Sequence, residues 1–438
     1  MPKTLRALGV RNRLIPAISL GIALALISFT AGPWTAAFAA TTPIGLNSLS
    51  EFGMNSNHIQ IVDTAANHGF TANWTISGAS IMDPAIIHGV LYGDTINMPY
   101  GAIAINPTNG HTLWFHPFAN QMMNSPIYQD GTVYFGLGNN RFPSVPVVSH
   151  PDIRGTGVNQ VVALNATTGV TEWVYHTAGE DMPTFVLYDQ GLYVANGADQ
   201  VLDLSPKTGQ VQQSLAIPSY VSMSSPTVVD HTMYFGGAFP YSMYAVNLKT
   251  MKVAWSTPTR AVGGLDDDSP VANLKEVYIQ AVYDDNGNST SVLLAFNDQT
   301  GKMVWSRTVG EGIRPFSGPL YESGVPLLEN GIIYTGTSVS DAVYAVRANT
   351  GQVLWSNSLN GKGVAQAPVL VDHRLLVGDA GGTVFVLNPT SGHVLHSVHF
   401  PGGRFMPGVP FVDGNTIFFG TQTGMFFARP LSQLLGGQ

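Results

Sequence analysis

One phrase recurs along the chain and limits what it can fold into. Thr-Gly, with Trp four residues after the Gly, occurs at Thr168-Gly169 with Trp173, Thr300-Gly301 with Trp305 and Thr350-Gly351 with Trp355. Weaker copies are Asn109-Gly110 with Trp114, Thr208-Gly209 with Gln213, Thr250-Met251 with Trp255, and Ser391-Gly392 with His396. Each follows a short apolar run such as Ala163-Leu164-Asn165 or Ala345-Val346-Arg347. Units of about 40–50 residues built from short β runs are the mark of propeller blades, which bury their faces only by stacking on one another.

Each unit divides into four strands. In 225–256 the apolar alternation predicts strands over 227–229, 233–236, 243–247 and 253–256, with turns at Asp230-His231 and 249–251. A strand-opening proline, which costs no ladder bond, recurs at Pro84, Pro126, Pro183, Pro226, Pro270, Pro326, Pro368 and Pro410. Eight such positions predict an all-β, eight-bladed propeller; seven blades would follow if one degenerate repeat were a decorated loop. The segment 70–77, with Trp74, reads as a lone fourth strand, and 425–429 as a lone third strand. Together they make one blade that closes the ring and removes exposed edges. The expected organisation is a leader over 1–40, an extension over 41–69, the propeller over 70–430 and a tail over 431–438.

The leader is read from Lys3, Arg6, Arg11 and Arg13, an apolar stretch over 14–29 and the small-residue site Ala37-Phe38-Ala39. Its removal leaves 15 of the 19 basic residues against all 27 acidic ones. That excludes a basic footprint for nucleic acid. Only 11% of residues are charged, so protonating the carboxylates generates little self-repulsion. An acidic, extracytoplasmic setting (periplasm or cell surface) is expected. There is no cysteine, which removes disulfides, thiolate nucleophiles, Cys-held metals and a lipidated N-terminal Cys.

The strand one–two turns and the Thr-Gly turns fall on one face of such a ring. The strand two–three and blade-to-blade connections fall on the other, and these are the ones that lengthen, over 137–158, 258–269, 282–291 and 309–324. Loops on a rigid ring are where sites concentrate, so the site is expected on that face.

The runs 161–173 and 343–355 resemble the repeat of pyrroloquinoline-quinone-type propellers. That family includes quinone-dependent alcohol dehydrogenases, the outer-membrane assembly lipoprotein, and tetrathionate hydrolases of acid-loving sulfur oxidisers. The resemblance implies that each repeat Trp packs between adjacent blades. It also implies a quinone stacked on a vicinal disulfide beside Ca²⁺ in the dehydrogenases, but without Cys that floor is missing and pyrroloquinoline quinone is not expected. The run Asp284-Asp285-Asn286-Gly287-Asn288 lacks the spacing of a calcium loop and reads as a hairpin turn. The lipoprotein's tethering Cys is absent too, which leaves a soluble envelope scaffold as the second reading. Resemblance to the tetrathionate hydrolases implies an eight-bladed, quinone-free enzyme working in acid.

Cleaving a sulfur–sulfur bond in a polythionate needs a proton donor for the departing thiosulfate and cations for the sulfonate oxygens. Asp266-Asp267-Asp268, just before Pro270, is the candidate acid/base, with Asp268 or a neighbour as the proton donor, because adjacent carboxylates repel and hold protons to higher pH. Asp181, in the acidic pair Glu180-Asp181 before Pro183, is its expected partner. Arg141, Arg154, Arg260, Arg314 and Arg404 all fall in long loops and suit oxyanions through their bidentate fork. Tyr220, Phe239, Tyr241 and Phe316 are candidate walls. The expected partner is a small anionic substrate, with outer-membrane association or a homodimer compatible; no metal or other cofactor is expected.

Overall fold

The computed structural model describes residues 61–62 and 70–436, apart from 82, 139–152, 156, 286–287, 313–324, 338, 360–361, 365, 404, 406–407 and 409. The leader, Arg141, Arg314, Arg404 and Phe316 lie outside the described residues. Eight antiparallel sheets follow one another, each an up-and-down run of four strands. In chain order we number the blades 1 to 8, opening at Ala85, Ile127, Val186, Thr227, Val271, Leu327, Val369 and Phe411. Seven of these first residues directly follow one of the eight prolines; in blade 3, Pro183 lies three residues ahead of Val186. Blade 8 combines Phe411–Asp413, Thr416–Gly420 and Met425–Pro430 with the N-terminal strand Trp74–Ser77. Arg429 fastens that closure, donating to the Trp74 carbonyl at 2.6 Å and to Thr75 Oγ1 at 2.8 Å. The tail begins as a short helix, Leu431–Leu435, and in the extension Ile61–Val62 pairs in parallel with the first strand of blade 7.

The core lies between blades. Eight apolar clusters are each shared by two neighbouring blades, as where Ala104 and Tyr92 of blade 1 meet Val133 and Val162 of blade 2. The recurring phrase supplies the docking unit. Each Trp reaches across to the turn of the next blade and donates its indole N–H to a carbonyl there, Trp255 to Asp298 at 2.7 Å and Trp305 to Ala348 at 2.8 Å. The turn glycine lies flat under the indole. At Gly301 (φ +67°) an added Cβ would come 2.5 Å from the Trp255 ring, and at Gly351 (φ +66°) 2.7 Å from the Trp305 ring.

The weak copies explain one another. Blade 3 carries Gln213 at the Trp position, and the next turn carries Met251 in place of Gly, at φ 51°. Met251 is buried in the cluster shared by blades 3 and 4, on the turn against which an indole packs in other blades. In blade 7, His396 replaces Trp, and Gly436 after the C-terminal helix lies against its ring.

Candidate active site

Three connections and two loops on the face opposite the Thr-Gly turns converge around Arg154. The Arg154 backbone is clamped on both sides, with its N–H on the Gly197 carbonyl at 2.6 Å and its carbonyl accepting from Glu180 N–H at 2.8 Å. Glycines make the approach possible: a Cβ on Gly138 or Gly155 would collide with Glu180. The Arg154 guanidinium pairs through Nε with Glu180 Oε1 at 2.7 Å; the arginine side chain is 15% exposed and the glutamate 0%. It also stands over the Tyr220 ring, 5.6 Å from its centre.

Asp266 and Asp267 arrive on the connection from blade 4 to blade 5. That strap is held by Val262 N–H on the Val282 carbonyl and Val282 N–H on Gly263, each 2.8 Å. It folds over at Gly264, whose carbonyl accepts from both Asp267 and Asp268 N–H. The Asp266 carbonyl accepts from Met223 and Ser224 N–H, which ties the strap to the preceding connection. Asp266, Asp267 and Glu180 thus surround one guanidinium. If all were ionised the group would carry two uncompensated negative charges in a buried place. Burial, then the neighbouring Asp267, holds the Asp266 carboxyl well above the usual range. Burial likewise raises Asp267 and Glu180 against the pull of Arg154. Burial works against the charge of Arg154, yet Glu180, Asp267 and Asp266 keep it firmly protonated. Tyr241 lies near the same carboxylates; burial, then Asp266 and Asp267, pushes its hydroxyl far up.

Ser222 Oγ donates to Glu180 Oε1 at 3.0 Å and also faces Asp267. A hydroxyl has one proton to give, so it serves one of the two carboxyls at a time. Thr177 repeats the arrangement, with Oγ1 2.9 Å from the Gly179 carbonyl and in contact with Asp181 Oδ2. A carbonyl can only accept, so when Thr177 serves Gly179, Asp181 must be the donor. Burial pushes Asp181 up to about 7, although the bonds from Thr177 and Asn196 pull the other way.

Of the expected residues, Arg154, Asp266 and Asp267 come together. Asp181 turns away from them, into a fully buried niche where Asn196 Nδ2 donates to it at 3.0 Å. Its neighbour Glu180 takes the inward place. Asp268 is fully buried two residues before the blade-opening proline, the place held by Asn124 and Ser224, whose side chains accept the strand N–H of Gly136 and Gly236. The Arg260 guanidinium lies on the same strap, stacked 4.2 Å above the Tyr283 ring. Tyr283 stands on the lengthened hairpin of blade 5, Glu276–Asp285 with Asn288–Asn297, whose last pairs are Asp284 with Ser289 and Asp285 with Asn288. Glu180 and Ser222 had only the elaborated blade-start segments as a sequence signal.

A closed ring of eight four-stranded blades with Trp-to-turn docking, carrying its polar cluster on the blade-to-blade connections, is a propeller of the quinoprotein class. Solved structures agree: quinohemoprotein alcohol dehydrogenase from Comamonas testosteroni matches 90% of this chain and 81% of its own at a TM-score of 0.61 and 13% identity. BamB from Moraxella catarrhalis matches 82% and 99% at 0.58 and 18%. The family model described as outer membrane protein assembly factor BamB matches residues 97–283 and 288–432, and the chain belongs to this family. Among curated relatives, the tetrathionate hydrolase of Acidithiobacillus ferrooxidans is 28% identical over 373 residues, 81% of this chain and 74% of the relative. That of Acidianus ambivalens is 30% identical over 380 residues, 79% and 70%.

A guanidinium sits among the carboxyls of this cluster, the place a hard cation would need. Among the described residues no helix is long and apolar enough to cross a membrane.

Proposed function

We propose that the chain is an extracytoplasmic hydrolase of an inorganic sulfur oxyanion, similar to tetrathionate hydrolase and released by removal of 1–40. The observation that carries this reading is the buried set of three carboxyls around Arg154, in a chain that shares four fifths of its length with a tetrathionate hydrolase. Arg154 receives a sulfonate group, and Arg260, on the strap that carries Asp266 and Asp267, is the second clamp. Arg141, Arg314 and Arg404 remain candidates for the far sulfonate. The carboxyls of the Asp266–Asp268 run supply acid and base, with Asp267 facing both Arg154 and Ser222. Water attacks a central sulfur, one sulfur–sulfur bond breaks, and its electron pair leaves with thiosulfate. The protonated carboxyl neutralises that leaving group, and a carboxylate takes the proton of the attacking water. The step needs neither quinone nor metal.

Purified protein given tetrathionate near pH 3 is expected to release thiosulfate; no turnover anywhere between about pH 2 and 7 removes the proposal. Asp267→Asn should lower turnover by about 10²–10⁴-fold, and the same loss from Asp268→Asn alone would move the donor one residue along. The family description and the BamB structure support a second reading, a non-catalytic envelope scaffold, which predicts co-purification with outer-membrane assembly partners.

A further inference from the structure

We propose that Arg154 is a latched oxyanion receptor: Glu180 is the latch, and a small dianion binds by taking the guanidinium from Glu180 as that carboxylate picks up a proton. The inference rests on reading this cluster as the substrate site, and it holds for any oxyanion bound there, turned over or not.

Three observations carry it. First, Arg154 is the cation that the structure places against these carboxyls, and its Nε is committed to Glu180. An arriving anion therefore competes with a buried carboxylate for the same fork. Both cannot stay ionised beside one guanidinium together with Asp266 and Asp267 without leaving several buried negative charges uncompensated.

Second, buried acceptor oxygens of the cluster lack donors. Among the described residues Glu180 Oε2, Asn159 Oδ1 and Asp267 Oδ1 have no hydrogen-bond partner. Asn159 Nδ2 donates to the Ala178 carbonyl at 3.4 Å, which fixes Oδ1 as the other end of the amide. Glu180 and Asn159 flank Gly155, where an added Cβ would lie 3.0 Å from Glu180 Cβ and 3.1 Å from Asn159 Oδ1. Buried acceptors without donors are costly, and a protonated Glu180 supplies a donor in this niche. The niche is thus built to receive the carboxylic acid as well as the carboxylate.

Third, Ser222 faces both Glu180 and Asp267 with one proton. When Glu180 is protonated and released, that hydroxyl is free to turn to Asp267, so the network has a second satisfied state. The titratable groups facing the pair are Asp266 and Asp267 from the strap, Tyr220 from the connection between blades 3 and 4, Tyr241 from blade 4, and Asp181 behind Glu180. The tyrosines stay neutral throughout the acid range, so the exchange is among carboxyls.

The test is titration calorimetry of the mature chain with sulfate and with thiosulfate near pH 5, in buffers of different ionisation enthalpy. Binding should take up about one proton per anion. In Glu180→Gln the uptake should fall by about one, and binding should persist to higher pH. Ser222→Ala removes a donor that favours the Glu180 carboxylate, so it should shift the pH midpoint of binding upward. Arg154→Met should abolish binding. Binding without proton uptake, or uptake unchanged in Glu180→Gln, overturns the latch. So does anion binding that survives Arg154→Met, or a wild type that binds neither anion down to about pH 3. If Glu180→Gln does not fold, an unmoved midpoint in Ser222→Ala overturns it. The tetrathionate assay separates the two ideas. Turnover without proton-coupled binding removes the latch alone, whereas proton-coupled binding without turnover removes the hydrolase and leaves the latch.

Discussion

Replacing Asp181 by Asn should stabilise the protein at neutral pH and leave it nearly unchanged in acid. Asp181 is fully buried, and its carboxyl is raised from 3.8 to about 7. An acid raised on folding stabilises the native state while both states are protonated. That advantage is lost as pH rises from the unfolded value toward the folded one. Here the window runs from about pH 4 to 7. At 1.36 kcal/mol per unit, ionisation of the group in the unfolded chain forfeits about 4 kcal/mol by pH 7 and about 0.5 kcal/mol at pH 4. Asn presents an N–H to Thr177 Oγ1 and an oxygen to Asn196, the pattern of the neutral acid. It therefore keeps the bonds and removes the ionisation. Denaturant midpoints from about pH 3 to 7 are the assay. Wild-type stability should fall across the window, and the variant should be flatter and more stable at pH 7. Asp94, Glu180, Asp266 and Asp267 are raised by burial as well and slope the same way. Equal loss of stability at pH 4 and pH 7 in Asp181→Asn, or wild-type stability that climbs from pH 4 to 7, refutes the reasoning.

Gly301→Ala and Gly331→Ala form a matched pair, since both glycines have positive φ but an added Cβ meets the Trp255 ring only at Gly301. Gly331→Ala should cost about 1–2 kcal/mol for the backbone alone. Gly301→Ala should cost about 3–5 kcal/mol, through the displaced indole and its bond to Asp298; equal losses in denaturation would dismiss the docking account. Gln213→Trp should destabilise by about 1–3 kcal/mol, because Met251 stands on the turn against which the indole would pack. Adding Met251→Gly and Asp203→Ala rebuilds the Ala, Trp and Gly trio of the other blades (Asp203 pairs with Gln213 where Ala245 pairs with Trp255) and should recover most of that loss.

What could be read from the residues alone divides along a physical line. Blade number, strand order and ring closure depend on local chemistry that recurs around the ring, a proline before a strand, a tight turn and, in six blades, a Trp paired with a Gly. Even the exceptions carried information, since Gln213 and Met251 depart from the phrase at the two positions that touch one another. The polar cluster is different, because its members meet only through the third dimension. The run Asp266–Asp268 and Arg154 were recognisable as chemistry in long loops. Nothing local said that Glu180, and not Asp181, would face them. Consecutive side chains of an extended segment point to opposite sides, so in an acidic pair at a blade start one carboxyl must face the convergence of loops and the other the body of the ring. Which is which depends on how the strap enters the blade. Here the four-way packing of Gly138, Gly155, Gly197 and the Arg154 backbone settles it. In the triplet, which folds over at Gly264, Asp266 and Asp267 both face Arg154, and Asp268 takes the place where Asn124 and Ser224 accept strand N–H groups. An acidic pair or triplet at a blade start therefore divides its labour: one carboxyl holds the ring and its neighbour meets the solvent-side chemistry.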